Sequence, residues 1–267
     1  MTEVRITRFG GPEVFRAVET PSPVLPPGHV RIRVSAAGIN FADIQMRMGL
    51  YPEAPKLPFA PGFEVAGVIS EVSPDVSGFR AGERVLAPTR FGGYATEVVL
   101  PATLVRRTPR KLSDVEAASI PVCFMTAWIA LMELARVRED DRVLVPGASG
   151  GVGGAMIQVA ARAGAQVTGQ RRSIARTLLQ LLQTPVLTSI GLQMSNRGLF
   201  GLNMLTLFKT EKGLQLALRA LDSSLQGFQD GVFKPTVGRV FPLAEAGLAH
   251  AHLQSKTSTG KVVLRCF

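Results

Sequence analysis

Residues 142–169, RVLVPGASGGVGGAMIQVAARAGAQVTG, constrain this chain more than any other stretch. Arg142 to Pro146 is a short apolar run, Gly147 to Gly154 is almost all small residues, and Met156, Ile157, Val159 and Ala160 recur at helical spacing. Strand, tight turn, helix and a second strand ending at Gly169 make the start of a βαβ unit. Small residues in such a turn let the backbone approach a pyrophosphate, whose charge meets free N–H groups and the positive end of the helix dipole. The spacing Ala148-x-Gly150-x-x-Gly153 puts Ala where the dinucleotide fingerprint has its first Gly, so a plain tight βα turn stays open as the alternative.

At 267 residues the chain exceeds the usual single-domain range, and two domains are expected. Its two cysteines, Cys123 and Cys266, cannot build a disulfide framework and show no zinc-ligand spacing; a buried core thiol and a tail thiol are the plain readings, and a reducing cytoplasm fits. The charged start MTEVRITRFG has no apolar core of a signal peptide. No uninterrupted apolar run reaches the ~18 residues of a spanning helix. The nearest, 173–194, is broken by three Gln, an Arg and Pro185, leaving a surface-lying or partner-binding helix as the other reading. A net charge of +10, from 23 Arg and 7 Lys against 20 acids, is scattered and lacks interleaved aromatics, which excludes nucleic acid and leaves one phosphate-bearing ligand as the simplest account.

Residues 1–112 read as a coiled-up antiparallel β region, with strands at Val4–Ile6, His29–Val34, Phe63–Val72, Arg84–Ala87 and Tyr94–Leu100. One helix interrupts it from about Asn40 to Met48, with Asn40 as N-cap and Asp43 in the favourable first turn. Ser113-x-x-Glu116 is a capping box, followed by an apolar helix over Val122–Ala135. Beyond Gly169 the alternation of a doubly wound sheet fails. A helix over 173–183, an extended stretch near Leu199–Phe208 and a helix over Glu211–Gln226 follow, then a strand at Thr236–Phe241, a helix at Leu243–Gln254 and a closing strand at Lys261–Arg265. The cofactor domain reads as truncated.

Several motifs stand in one order: Gly38-Ile39-Asn40-Phe41-Ala42-Asp43, Arg47-x-Gly49-x-Tyr51-Pro52, Pro61-Gly62-Phe63-Glu64-x-Ala66-Gly67-Val68, Gly82-Glu83-Arg84-Val85, Gly92-Gly93-Tyr94-Ala95, Thr126-Ala127, the turn Ala148 to Gly153, and Gly260-Lys261-Val262-Val263-Leu264. With them the chain resembles the medium-chain dehydrogenase/reductase superfamily, and within it the zinc-free quinone oxidoreductases that include zeta-crystallin. Residues 184–208, with Pro185, Asn196-Arg197-Gly198 and Gly201-Leu202-Asn203, are similar to the vesicle amine transport protein branch. The resemblance implies a GroES-like β domain over 1–121, completed by 230–267, and a Rossmann-type doubly wound domain over 122–229. About three strands with their helices are missing between Gly169 and Ser173, in a sheet whose order is 3-2-1-4-5-6. The last strand, near Leu199–Leu205, is then expected either beside 142–146 or across a gap filled by helix 173–183.

The resemblance also implies a site. Asn40 and Tyr51 are its catalytic candidates, Tyr51 as a proton donor to a reduced oxygen. Asn40, Thr126, the turn residues Ala148, Ser149, Gly150, Gly151, Val152 and Gly153, then Gly169, and the stretch Leu202, Asn203 and Met204 are its cofactor contacts. The plainer alternatives are an N-cap for Asn40, a half-buried loop aromatic for Tyr51, an i−4 back-bonded hydroxyl for Thr126 and a dimer-pairing edge strand at Gly201–Leu202. About 20 residues past the turn, where an NAD enzyme carries an acid, stand Gln170, Arg171 and Arg172, and two guanidiniums favour the 2′-phosphate of NADPH. Ala36, Ala37 and Phe63 occupy the places of catalytic zinc ligands, so no metal is expected; His250 and His252 are read as surface residues. The expected protein is a cytoplasmic, homodimeric NADPH-dependent reductase of a small quinone or α,β-unsaturated carbonyl. The competing expectation is a non-catalytic dimer or lipid-surface binder that has lost its cofactor site.

Overall fold

The computed structural model describes residues 1–169, 192, 194, 199–255 and 257–267. Its central strand is β3 (His29–Ile39), whose alternating first half and all-buried second half are used by different neighbours. In the first half His29 to Arg33 pairs antiparallel with β6 (Glu97–Pro101), while β4 (Glu64–Val72) runs along nearly the whole strand. The second half, Ala36 to Ile39, pairs with β11 (Lys261–Arg265), which brings the end of the chain beside the segment leading into residue 40. β10 (Val237–Pro242) lies parallel to β11, and β5 (Arg84–Pro88) and β7 (Arg106–Arg107) extend the other side, giving the order β10-β11-β3-β4-β5-β7 with β6 on β3. β1 (Thr2–Ile6) and β2 (Phe15–Glu19) form a separate hairpin. β2 escapes sequence reading because FRAVE buries only its Phe, so the strand has no alternation to detect.

Asn40 stands at the N-cap of α1 (Phe41–Arg47), and Asp43 closes the capping box by accepting the Asn40 N–H at 2.8 Å. The box Ser113/Glu116 begins α2 (Asp114–Ala117) as expected. The apolar helix follows as α3 (Pro121–Trp128), whose pitch widens to a π-helix over Ile129–Leu134. The segment 173–194 lies largely outside the described residues. Asp114–Leu134 is, by length and composition, long and apolar enough to cross a membrane; here most of it is buried. It packs against α4 (Gly151–Arg162) and α6 (Glu211–Gln229), the place of a core helix. Phe124 of α3 meets Phe228 and Phe233 at ring-centroid distances of 4.7 and 5.3 Å. Buried Ala217, Leu221, Ser224 and Phe228 make the inner stripe of α6 at helical spacing.

β8 (Arg142–Val145) and β9 (Gln166–Gly169) pair in parallel, with α4 between them: the expected βαβ start. Among the described residues β8 has no other partner strand. The expected last strand is corrected. Leu199–Asn203 is not a strand, and Asn203 instead caps a helical turn, α5 (Met204–Leu207), its Oδ1 accepting the Thr206 N–H at 3.3 Å. An N-cap side chain and the burial of Leu205 in a first core, shared with β1, β3 and β4 and distinct from the second core around Phe124, Phe228 and Phe233, outweigh the local apolar run. The edge-strand reading of Gly201–Leu202 falls with it, and the expected helix 173–183 lies outside the described residues.

His250 is a second correction. On α7 (Ala246–Gln254) its ring is fully buried, edge-on to Phe15 at 4.7 Å, with Nε2 2.9 Å from the Tyr94 hydroxyl. The helix turns its small face inward against Pro12–Val14, and Tyr94 supplies the polar partner that a buried imidazole needs. His252 is half-buried against Phe241. Burial, aided by the Arg47 charge, lowers the His250 pKa to about 3. In the unfolded chain the ring takes a proton near pH 6.5, so native stability falls as pH drops from there towards 3, by up to about 1.4 kcal/mol per pH unit. Urea midpoints at pH 7.5 and 4.5 should therefore diverge more for the native chain than for His250→Gln; equal divergence would contradict a buried neutral ring.

Candidate active site

The glycine-rich turn runs from the end of β8 into α4, with Gly150 at the N-cap. A Cβ on Gly153 would lie 2.3 Å from the Gly147 carbonyl oxygen, so the turn closes only with Gly there. Gly150 is different: a Cβ would come no closer than 3.4 Å to the same oxygen, so this position faces open space. A cleft of about 680 Å³ opens in front of the turn, walled by Ser149 to Gly153 on one side and by Asn40, Cys123 and Gly260–Val262 on the other. The end of the chain is fastened to the turn, because the Gly260 N–H donates to the Ser149 carbonyl at 2.7 Å.

A second cleft of about 380 Å³ adjoins the first, and Asn40, Phe41 and Val152 line both. Tyr51, Thr126, Leu202, Asn203 and Met204 line only the second, with Phe63, Met125 and Phe208 supplying apolar wall. Among the described residues no Asp, Glu, Lys or Arg lines it. The structure thus brings Asn40, Tyr51, Thr126, the turn from Ser149 to Gly153 and the 202–204 stretch around two joined clefts. Ala148 belongs to the turn without lining either cleft, and Gly169 sits at the end of β9, paired with Val145. Arg171 and Arg172 lie outside the described residues.

Sequence reading missed the cluster beneath Asn40. Lys261, only 4% exposed, places Nζ 2.5 Å from Glu64 Oε1 and 2.5 Å from Asn40 Oδ1, with Cys123 Sγ at 3.5 Å. Asn40 Nδ2 donates to Glu64 Oε1 at 3.0 Å, and the Val122 N–H donates to Glu64 Oε2 at 2.8 Å. Burial opposes the Lys261 charge, but Glu64 and Asp43 around it hold the proton and its pKa is raised. The signal was there to read: a Lys opening an apolar strand and a Glu inside Pro-Gly-Phe-Glu-Val-Ala, both costly unless they meet. The core reading of Cys123 holds, with a lysine neighbour that spacing does not reveal.

Asp43 is buried, accepting N–H bonds from Asn40 and from Gly62 at 2.9 Å; burial raises its pKa to about 7 against the pull of those two donors. Burial, with Glu53 and Asp43 nearby, raises the Tyr51 phenol, so it keeps its proton. Asn40, Glu64 and Cys123 already surround one cation, the Lys261 ammonium, and burial keeps the Cys123 thiol protonated. That donor set does not fit zinc, which takes thiolate, imidazole and carboxylate with no ammonium among them. Among the described residues no group of three or more His, Cys, Asp or Glu is placed to hold a metal.

Two families match the chain: "Alcohol dehydrogenase GroES-like domain" over residues 26–110 and "Zinc-binding dehydrogenase" over residues 146–264. The human synaptic vesicle membrane protein VAT-1 homolog-like is 38% identical over 159 residues, 60% of this chain but 38% of the relative, so the chain spans well under half of that relative's length. Pig quinone oxidoreductase is 29% identical over 321 aligned positions, 99% of this chain and 97% of the relative; the alignment is longer than the chain, so the pig protein carries residues opposite gaps here. Among solved structures, the human VAT-1 homolog-like protein superposes with a TM-score of 0.91 at 26% identity, covering 100% of this chain and 98% of the other. A mycobacterial protein, Rv1454c, complexed with NADPH, superposes at 0.85 with 25% identity and full coverage of both chains. GroES-like sheet, Rossmann-type turn and relatives agree: the chain belongs to the medium-chain dehydrogenase/reductase superfamily, in its quinone oxidoreductase and VAT-1-like branch.

Proposed function

We propose that the chain is an NADPH-dependent oxidoreductase acting on a small quinone or α,β-unsaturated carbonyl without metal. The observation that carries this reading is the common wall. Asn40, Phe41 and Val152 separate a cleft built on a glycine-rich turn from an apolar cleft lined, among the described residues, by no charged side chain, so two ligands would meet there. Bound in the first cleft, the cofactor would supply a hydride from its nicotinamide ring. The N–H groups of Ser149 to Gly153, at the start of the 12-residue α4, would hold pyrophosphate. Leu202 to Met204 and Thr126, on the wall of the second cleft, would border the nicotinamide end where it reaches past the seam, with Asn40 between the two ligands. Arg171 and Arg172 are the sequence's candidates for the 2′-phosphate, which is the reason for NADPH over NADH.

The second cleft favours an uncharged ligand, since among the described residues no cationic side chain on its wall would neutralise a carboxylate or phosphate. Tyr51 keeps its proton and lies on that wall, placed to give it to a carbonyl oxygen that gains charge. A non-catalytic reading has one observation behind it, the residues present in the pig relative and missing here.

Two measurements separate these readings. NADPH at about 100 Kd should add about 2.7 kcal/mol and raise the melting temperature by several degrees, whereas a lost site leaves it unchanged. NADPH oxidation with 1,4-benzoquinone or 9,10-phenanthrenequinone should exceed that of Gly150→Asp, which sets a carboxylate against the pyrophosphate without a steric clash; kcat/KM should fall by at least about tenfold. Turnover no higher than this control would refute the reductase. Tyr51→Phe should lower kcat by about 10²-fold, the low end for a positioned acid, and leave the Kd for NADPH unchanged. An unaltered kcat would assign that proton to water.

A further inference from the structure

We infer that Lys261 is a positioning residue for the Asn40 amide: its ammonium fixes which end of that amide is offered to the clefts and ties that choice to the glycine-rich turn. An asparagine side chain has nearly the same shape when its oxygen and nitrogen exchange places, so packing alone cannot choose between the two. Charge chooses here. Oδ1 lies 2.5 Å from the Lys261 ammonium and Nδ2 lies 3.0 Å from Glu64 Oε1; the flipped amide would set NH2 against NH3⁺ and a carbonyl against a carboxylate. Lys261 and Glu64 are 4% and 0% exposed, so water screens neither repulsion. One of the two Nδ2 protons goes to Glu64, and the other is left for whatever lies in the clefts. Asn40 is thereby set as a hydrogen-bond donor.

The same strand start reaches the turn. Gly260, next to Lys261, donates to the Ser149 carbonyl at 2.7 Å and bridges Gly150. Displacing the ammonium therefore disturbs the amide and the turn together. Glu64 is also fixed from the other side by the Val122 N–H at the first turn of α3, so the cation has a rigid counter-ion. Lys261 lines the first cleft and Glu64 lines neither, and the functional consequence of this inference rests on the reading of the clefts above.

Lys261→Met alone would leave a buried carboxylate unpaired and can fail to fold, so the informative chain is Glu64→Gln/Lys261→Met, which removes both charges at similar volume. Two readouts on the full-length folded chain are needed. In ¹H–¹⁵N spectra the Asn40 side-chain NH2, assigned by its loss in Asn40→Asp, should exchange slowly with solvent in the native chain and at least about tenfold faster in the double variant, as expected when its fixed partners go. Calorimetric Kd for NADPH should rise by about tenfold or more, the size of one lost directional hydrogen bond. Unchanged exchange of the Asn40 amide in a folded double variant would overturn the assignment of Lys261. A native chain that binds no NADPH would instead overturn the proposed function, and the exchange measurement would still decide the role of Lys261.

Discussion

A lysine and a glutamate removed from water stay charged only if their surroundings replace the lost hydration, and that requirement organises this molecule. Taking each ion into the interior costs several kcal/mol, offset here because the Glu64 oxygens receive the Lys261 ammonium, the Asn40 amide and the Val122 N–H. The partners come from β11, the segment before α1, and the first turn of α3. Satisfying one carboxylate thus draws four separated pieces of chain to one point. Removing one partner would leave an uncompensated buried charge, at a cost of about 3–5 kcal/mol.

Both clefts follow from that convergence. β3 is long enough to pair with β6 in its first half and with β11 in its second, so the chain that leaves it at Asn40 emerges beside the start of β11. α3 runs from this point into the second core, where Phe124, Phe228 and Phe233 interlock and α4 packs alongside. The glycine-rich turn at the head of α4 is thereby held across the first cleft from Asn40. Asn40, Phe41 and Val152 are the seam between a polar-backbone cleft and an apolar one.

Parts of this were legible because their causes are local. The small residues from Gly147 to Gly154, the N-cap at Asn40, the capping box at Ser113/Glu116, and the alternation of His29 to Val34 all act within one turn or strand, and each formed where expected. Leu199–Phe208 misled for the opposite reason: its apolar run suited a strand, but the cap at Asn203 and a core contact by Leu205 selected a helical turn. The two histidines looked like surface residues because spacing on one helix says nothing about the Tyr94 hydroxyl, 156 residues away, that makes burial of His250 tolerable.

The sequence by itself determined most of the elements, the βαβ start with its glycine-rich turn, and the residues worth watching around it, since short-range sterics, capping and periodicity decide these. Only the tertiary structure decided that Asn40 is shared between two clefts and that its amide has a fixed polarity. Its cation, Lys261, lies 221 positions along the chain, and no local pattern encodes which buried charges meet once β11 folds back onto β3.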